Sequence, residues 1–171
     1  MWAAPLLMTE RLTLRRLDAR DRDAFLAYST GPRTAFTGGP SKPFRAVEKF
    51  AAMIGQWTLM GYGRYAICLD PDAPAIGHVG PLHYDTTQPA EMTWTLWDDA
   101  QTGHGYATEA AARVLAHLLD DLGWPSIVAR IEPDNAASHA VALRLGGTRD
   151  DAAQAPAWMP NAVTYRFGGA V

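Results

Sequence analysis

The residue types and spacing best suited to chemistry lie in one glycine-rich stretch, Gln101 to Ala110, which reads QTGHGYATEA. The stretch follows a strand-like segment, Glu91 to Trp97, and opens a segment with strong helical periodicity. Glycines at the start of a helix leave the backbone N–H groups of its first turn uncovered, at the positive end of the helix dipole. Such a helix start binds anions, so the sequence predicts a site for the pyrophosphate of a cofactor.

The spelling of this stretch excludes two well-known phosphate-binding motifs. A P-loop requires a glycine followed by Lys and then Ser or Thr, and no glycine of the chain is followed in that way. A dinucleotide fingerprint requires a third small residue three positions after Gly105, where Thr108 stands, and an acidic residue about 20 positions further on in a βαβ repeat. The remaining pattern is a strand followed by x-x-G-x-G-x-A at the start of a helix.

In this pattern the chain resembles the GNAT superfamily of N-acetyltransferases, whose signature is (Q/R)-x-x-G-x-(G/A). Gly105 and Ala107 stand at its last two fixed positions, whereas Thr102 replaces the Gln or Arg of the first. The spelling G-H-G-Y-A-T-E-A is similar to that of the ribosomal-protein-alanine/serine N-acetyltransferase (RimJ/RimL-like) branch. Two further segments resemble the family in order and spacing, namely Glu91 to Trp97 as its fourth strand and Glu132 to Ser138 as the N-x-x-S turn after its fifth.

The resemblance implies acetyl-CoA as co-substrate, with no metal, and it implies which residues bind this molecule. Backbone N–H groups of the loop would hold the pyrophosphate, and the residues concerned are Gly103, His104, Gly105, Tyr106, Ala107 and Thr108. The side chains of Tyr106 and Thr108 either contact the ligand or are ordinary first-turn residues, and His104 either faces a phosphate or is solvated. Leu96 and Trp97 end the strand that splays from its neighbour in the family, so their backbone groups would pair with the pantetheine and the acetyl carbonyl. Trp94 and Trp97 either line the acceptor pocket or pack in the core.

Acetyl transfer from a thioester to an amine needs a neutral amine and little acid catalysis, because the leaving thiolate has a pKa near ~8.5. The resemblance implies that Glu91 is the general base, often acting through water, although a charged residue at a strand end is also common. It further implies that Asn135 contacts the pantetheine arm and that Ser138 stabilises or protonates the leaving thiolate. Asn135 is equally suited to cap the following helix. The tyrosine acid of other family members would fall at Ala142, so that group is absent.

The composition predicts a single domain, residues 1–171, with enough apolar residues to fill a core, since 48% of the residues are hydrophobic. A net charge of −3 argues against nucleic acid or an anionic membrane as the main partner. The single cysteine, Cys68, excludes internal disulfides and suits the cytoplasm, and its segment makes it a small buried hydrophobe. His78 and His83 lie five apart in a strand-like segment and would face opposite sides, which disfavours a shared metal. We expect a monomer or homodimer whose acceptor is a small-molecule or peptide amine.

The elements that must position these residues follow from periodicity. Apolar residues from Ala107 to Leu122 form one helical stripe that ends before Gly123, while Glu109 lies off the stripe. Together with the alternating segments, this predicts an α/β GNAT fold with a mixed, mostly antiparallel sheet of about six to seven strands flanked by about four helices. The other predicted strands are 11–17, 64–69, 75–84, 126–131 and 163–167, and the other predicted helices are 18–28, 44–59 and 137–145.

Three functions remain open at this point. The first is an N-acetyltransferase that moves the acetyl group of acetyl-CoA to a primary amine, of a protein N-terminus or a small molecule, by direct transfer in a ternary complex. The second is a catalytically weak CoA-binding or sensing domain on the same fold. The third is a nucleotide-binding protein whose loop holds a different phosphate. A fold does not name its acceptor, and the loop 30–43 has no spelling that does so.

Overall fold

A computed structural model of the chain describes residues 5–169 and contains eight strands and four α-helices. The strands are β1 (Leu7–Met8), β2 (Thr13–Arg16), β3 (Tyr65–Cys68), β4 (Gly77–Leu82), β5 (Glu91–Leu96), β6 (Ile127–Ile131), β7 (Thr148–Arg149) and β8 (Val163–Phe167). The helices are α1 (Arg22–Ser29), α2 (Pro43–Met60), α3 (Tyr106–Ala116) and α4 (Ala136–Arg144).

All eight strands form one sheet in the order β1-β2-β3-β4-β5-β6-β8-β7. Every neighbouring pair is antiparallel except β5 and β6, which run parallel. The predicted α/β class with a mixed, mostly antiparallel sheet is confirmed. The sheet has more strands than predicted because β1 and β7 are two residues long, which is too short for alternation to be visible in a sequence.

Helix α3 begins at the glycine loop and follows the predicted apolar stripe. Its α-helical part ends at Ala116, and one π-helical turn, His117–Asp121, continues it. A π turn inserts a residue into the helical repeat and therefore rotates the residues after it around the axis. Leu118 is still buried, whereas Leu122 is 51% exposed, so the last apolar position of the predicted stripe leaves the core.

The sheet separates two apolar clusters. One face packs against α3 and α4 through buried residues such as Ile67, Val79 and Met92. The opposite face carries Ala66 and Cys68 and packs against α1 and α2 through Phe25, Phe50 and Met53, with Trp97 at the edge. Side chains of neighbouring residues in a strand point to opposite faces, so Met92 of β5 belongs to the first cluster and Trp97, just after β5, to the second. The second face is incompletely filled beside β5 and β6, and the candidate site lies there.

Candidate active site

Strands β5 and β6 separate after a single paired position, Glu91 opposite Val128. The Val128 amide donates to the Ala90 carbonyl at 3.3 Å, so alternate residues from Ala90 onward direct their backbone groups towards β6. By this alternation the backbone groups of Trp94 and Leu96 face the gap between the two strands. Within residues 5–169 no further ladder position joins β5 to β6.

The gap involves Trp94 rather than Trp97. The Trp97 amide donates to the Ile76 carbonyl at 2.9 Å, which directs it away from β6. The Trp97 indole is 6% exposed, and its Nε1 donates to Nδ1 of His78 at 2.9 Å in the core. Trp94 therefore stands beside Leu96 in the position that the sequence analysis gave to Trp97.

The predicted anion cradle is an uncapped helix start. Gly103 and Gly105 have φ angles of +84° and +80°, in the left-handed region that favours glycine. Gly105 is the N-cap of α3 and provides no side-chain cap, and the first helical bond runs from the Glu109 amide to the Gly105 carbonyl at 3.0 Å. The preceding amides, from Tyr106 to Thr108, have no partner within the helix. They are available to an anion, which fits the pyrophosphate site that the sequence predicts.

Arg11 fixes this cradle from the turn between β1 and β2. Its Nη1 donates to the His104 carbonyl at 3.0 Å, and its Nε donates to Oε2 of Glu109 at 2.7 Å. Thr9 adds a hydrogen bond from its hydroxyl to Oε1 of Glu109 at 2.6 Å. Partial burial acts to raise the pKa of Glu109, but the hydrogen bonds from Thr9 and Arg11 outweigh it and lower that pKa.

The side chains of His104 and Tyr106 stack on each other, with ring centroids 5.5 Å apart. The Arg11 guanidinium lies 4.7 Å from the centroid of the Tyr106 ring, on which it forms a cation–π contact. The ring of Tyr106 thus has a structural partner on the protein. Sequence reasoning missed Arg11 and noticed Glu109 only as a residue off the apolar stripe, since 98 residues separate the two.

A second residue that sequence reasoning missed, Arg33, contacts the end of β5 through its side chain. Its Nε and Nη2 donate to the Leu96 carbonyl at 3.4 and 3.3 Å, and it forms an ion pair with Asp99. Its Nη2 also reaches the hydroxyl of Thr102 at 3.4 Å. Arg33 belongs to the loop 30–43, so this loop contacts the first position of the signature, where Thr102 departs from the family pattern.

A cavity of about 750 Å³ lies between β5, β6 and the layer of α1 and α2. Glu91, Asn135 and Ser138 all line it, so the structure brings the predicted base and the predicted N-x-x-S residues together. Trp94 also lines the cavity, so the cavity adjoins the gap between β5 and β6. The cradle residues Gly103 to Thr108 follow β5 in the chain and do not line the cavity, so the site has a cradle and a separate reaction chamber.

Glu91 is buried beside a guanidinium. Its side chain is 9% exposed, and its Oε2 lies 3.1 Å from Nη1 of Arg130, whose side chain is 6% exposed. Burial raises the pKa of Glu91 above its usual value, and the positive charges of Arg130 and Arg64 only partly oppose this. A carboxylate with a raised pKa is a stronger base than an exposed one, which suits proton transfer near neutral pH.

Asn135 caps α4, and Ser138 follows in the first turn. Asn135 Oδ1 accepts a hydrogen bond from the Ser138 amide at 3.2 Å. The helix start is anchored further by His139, which hydrogen-bonds to the Tyr165 hydroxyl at 3.0 Å and the Glu132 carbonyl at 3.2 Å. Ala142 is fully buried, and its methyl group provides no acid at the position where the sequence analysis looked for a tyrosine. The only hydroxyl that this motif directs to the chamber is that of Ser138.

Two other residues considered from the sequence are structural. Burial lowers the pKa of His78 well below 6.5, so its ring is neutral while Nδ1 accepts the bond from Trp97. Cys68 is fully buried, and burial raises its pKa to about 11. Across residues 5–169 no group of three or more His, Cys, Asp or Glu side chains is arranged to hold a metal. Over the same residues, no helix has the length and hydropathy needed to cross a membrane.

Comparisons with known proteins bear on the family and the fold of the chain. A family model described as an acetyltransferase (GNAT) domain matches residues 11–148. The chain is 28% identical over 136 residues to p20 of Bacillus licheniformis, named an uncharacterised N-acetyltransferase, with 77% of this chain and 76% of p20 covered. An acetyltransferase from Agrobacterium tumefaciens has a TM-score of 0.88 at 34% identity, with 98% of this chain and 96% of that chain covered. RimL, a ribosomal α-N-protein acetyltransferase solved in complex with coenzyme A, has a TM-score of 0.75 at 17% identity, with 96% and 98% covered, which shows a likeness of fold alone.

Proposed function

The chain belongs to the GNAT acetyltransferase family, and on that premise we propose that it transfers the acetyl group of acetyl-CoA to a primary amine directly, in a ternary complex. The observation that carries this proposal is the arrangement along β5. An uncapped helix start follows β5, and a gap towards which backbone groups of β5 point separates β5 from β6. A chamber lined by Glu91 and Ser138 lies at the beginning of β5. The acceptor is the amine of a small molecule or of a peptide N-terminus.

Acetyl-CoA has a pyrophosphate, a pantetheine arm and a thioester, and these correspond to the cradle, the gap and the chamber of the site. The pyrophosphate binds the amides of Tyr106, Ala107 and Thr108, with Gly103 and Gly105 keeping the approach free of side chains. The pantetheine arm lies in the gap, where its amide groups pair with backbone groups of Trp94 and with the Leu96 amide as an added strand would, while Arg33 donates to the Leu96 carbonyl. The thioester then reaches the chamber, beside Asn135 and Ser138.

The reaction requires the acceptor ammonium to lose two protons and one bond to be exchanged. Glu91, directly or through a water molecule, accepts the first proton from the acceptor ammonium, and the neutral amine attacks the thioester carbonyl carbon. The nitrogen of the tetrahedral intermediate loses the second proton to water, and the intermediate collapses with cleavage of the C–S bond, so the acetyl group stays on the nitrogen as an amide. The Ser138 hydroxyl donates a hydrogen bond to the departing sulfur, which leaves as a thiolate that needs little acid assistance.

The test combines calorimetric binding with turnover. Acetyl-CoA and CoA should bind, whereas ATP and NAD should not, since only the first two carry the pantetheine arm for the gap. Incubation of acetyl-CoA with a panel of primary amines, including peptides with free N-termini, should release free CoA thiol in an amine-dependent manner. Binding of ATP or NAD in preference to CoA would point to a nucleotide site. Tight binding of acetyl-CoA without turnover of any amine would instead identify a CoA-sensing domain.

A further inference from the structure

The floor of the reaction chamber carries more positive charge than its carboxylate balances. Arg64 precedes β3 and stands opposite Gly80 on β4, which in turn pairs with Thr93 on β5. Arg130 lies two residues beyond Val128 and Thr93 two beyond Glu91, so these side chains share one face of the sheet. Two arginines and one glutamate therefore line the floor of the same cavity, with one positive charge in excess.

Both guanidinium groups have hydrogen-bonding capacity that the protein leaves unused. The Nε atoms of Arg64 and Arg130 are buried and have no partner among the described residues. Arg64 uses Nη2 to donate to the Tyr84 hydroxyl at 2.6 Å, and Arg130 uses Nη1 for Glu91. A buried donor without a partner is costly, and it is rare in native proteins unless a ligand or water completes it.

Gly80 lies between the two arginines in this row and lets the backbone before β3 approach closely. It has a φ of +129°, and a Cβ at this position would lie 3.0 Å from the Gly63 carbonyl oxygen and 3.2 Å from Cα of Arg64. Gly80 thus adds no side chain to the row, and Thr93 turns its hydroxyl to the Gly80 carbonyl at 2.9 Å. The neighbouring ring, His78, is neutral because burial lowers its pKa, so it contributes no charge to the floor. The other charged lining residues are exposed at the rim, or in the case of Glu132 half-buried.

We propose that this floor is a subsite for a carboxylate carried by the acceptor, and that the acceptor is an amino acid or a molecule with the same pairing of amine and carboxylate. This inference rests on the proposed function. A carboxylate supplies a single negative charge, which equals the excess on the floor, and its two oxygens match the planar donors of arginine. Because Glu91 and Arg130 are only 3.1 Å apart, the ammonium that Glu91 deprotonates and the carboxylate that Arg130 and Arg64 bind must be a few bonds apart.

The test compares each free proteinogenic amino acid with its amide and with its decarboxylated amine as acceptors. The free amino acid should have a kcat/KM roughly 10- to 100-fold higher than both analogues, the range expected for one or two charge-assisted hydrogen bonds. The amine of the amide has a lower pKa than the amine of the free amino acid, so more of it is neutral and able to attack. A higher kcat/KM for the free amino acid therefore reports recognition of its carboxylate. Peptides with Asp or Glu as first residue distinguish a free amino acid from a protein N-terminus as the source of the carboxylate. Equal or higher kcat/KM for the analogues would overturn the proposal.

Variants separate this subsite from general effects on the chamber. Arg64→Gln and Arg130→Gln should each reduce the ratio of kcat/KM between amino acid and decarboxylated amine towards one, whereas Arg144→Gln, an exposed arginine on α4, should leave the ratio unchanged. A ratio that survives both chamber substitutions would overturn the proposal. Acetyl-CoA affinity reports whether each variant folds correctly. If Arg130→Gln misfolds, Arg64→Gln still tests the subsite, because it leaves the ion pair between Glu91 and Arg130 intact.

A binding measurement keeps the subsite testable without turnover. Calorimetry of the CoA complex with an N-acetyl amino acid and with the matching N-acetyl amine measures carboxylate recognition alone. Tighter binding of the acid, lost in Arg64→Gln, supports the subsite even if no amine is acetylated, a result that would count against the proposed function only. Equal binding of the two products would refute the carboxylate subsite while leaving the acetyl transfer intact.

Discussion

Glu91 has a local environment that acts on its pKa in two directions. Burial in the sheet raises this pKa, and the nearby guanidinium of Arg130 lowers it, with burial the larger influence. The base is ionised above its pKa, so activity should fall as the pH decreases through a value higher than that of an ordinary glutamate. The resemblance of the Glu91 to Trp97 segment to a family strand implied roles for Glu91 and Leu96. It could not show that Trp94 faces the gap, because that depends on the bond between Trp97 and Ile76, which immediately precedes β4.

The first prediction concerns Glu91 as the base. Glu91→Gln should lower kcat/KM by about 10²–10⁴-fold near pH 7, because few acceptor amines are neutral there without a base. Raising the pH should restore part of the rate, since the solvent then deprotonates the amine. The glutamine keeps the shape of the side chain, and calorimetry should give an unchanged affinity for acetyl-CoA. A wild-type rate near pH 7 would assign the proton to another group or to bulk water.

A second residue-level prediction separates catalysis from binding at Ser138. Ser138→Ala should lower kcat more than it weakens acetyl-CoA binding, because the hydroxyl interacts with charge that develops on sulfur only as the C–S bond breaks. Steady-state kinetics and calorimetry measure the two effects separately. Ser126→Ala, at a serine that does not line the chamber, is the matched control. If Ser138→Ala changed KM alone, the serine would be a binding residue of the α4 start.

At the scale of elements, the cradle is built by α3 and by the turn between β1 and β2. The glycine spelling and the apolar stripe predicted where α3 begins, since both are local features of the sequence. The ion pair of Arg11 with Glu109 was not predictable, because nothing near either residue indicates a partner 98 positions away. The π turn was also missed, since the apolar positions up to Leu122 continue the α-helical period.

The cradle itself is tested with a charge at Gly105. Gly105→Glu should abolish measurable acetyl-CoA binding, because the carboxylate would occupy the anion site and the residue would be strained at φ +80°. Gly123→Glu is the matched control, since Gly123 has a φ of +67° and open space around it but lies at the far end of the helix. Calorimetry of both variants, with circular dichroism for the fold, gives the comparison. Equal losses in the two would mean that backbone strain, rather than the cradle, is responsible.

The contribution of Arg11 should be smaller. Its side chain is 45% exposed, and exposed ion pairs contribute about 0.2–1 kcal/mol, so Arg11→Gln should weaken acetyl-CoA binding by no more than about fivefold. The loss should shrink at high salt, because salt screens the pair with Glu109. Arg22→Gln breaks a similar exposed pair with Asp23 on α1 and should leave the affinity unchanged. A loss of a hundredfold would mean that Arg11 contacts the phosphates itself.

At the scale of the whole molecule, the site draws residues from most of the chain. Glu91 and Arg130 come from β5 and β6, Arg64 immediately precedes β3, and Arg33 comes from the loop 30–43. The fold class was predictable because each long element has its own periodicity. The chamber was not, because its charged floor residues lie on β5, on β6 and just before β3, and their proximity is a property of the strand order. The sequence therefore predicts the cradle and the N-x-x-S turn, which are local, better than the acceptor side.

The last prediction uses Cys68 to ask whether the chain unfolds as one domain, as its length suggests. Cys68 is fully buried between the sheet and α2, and its pKa is raised to about 11, so a thiol reagent near pH 8 should react only after the protein opens. In the proposed function acetyl-CoA binds the cradle on the opposite layer, and it has no free thiol to consume the reagent. At a concentration of about 100 times its Kd, it should stabilise the folded state by about 2.7 kcal/mol. If opening is global and reclosing is fast, labelling should then slow by about 100-fold, whereas Gly105→Glu should show no protection. Labelling of the wild type that acetyl-CoA leaves unchanged would mean that the α1 and α2 layer opens independently of the cradle.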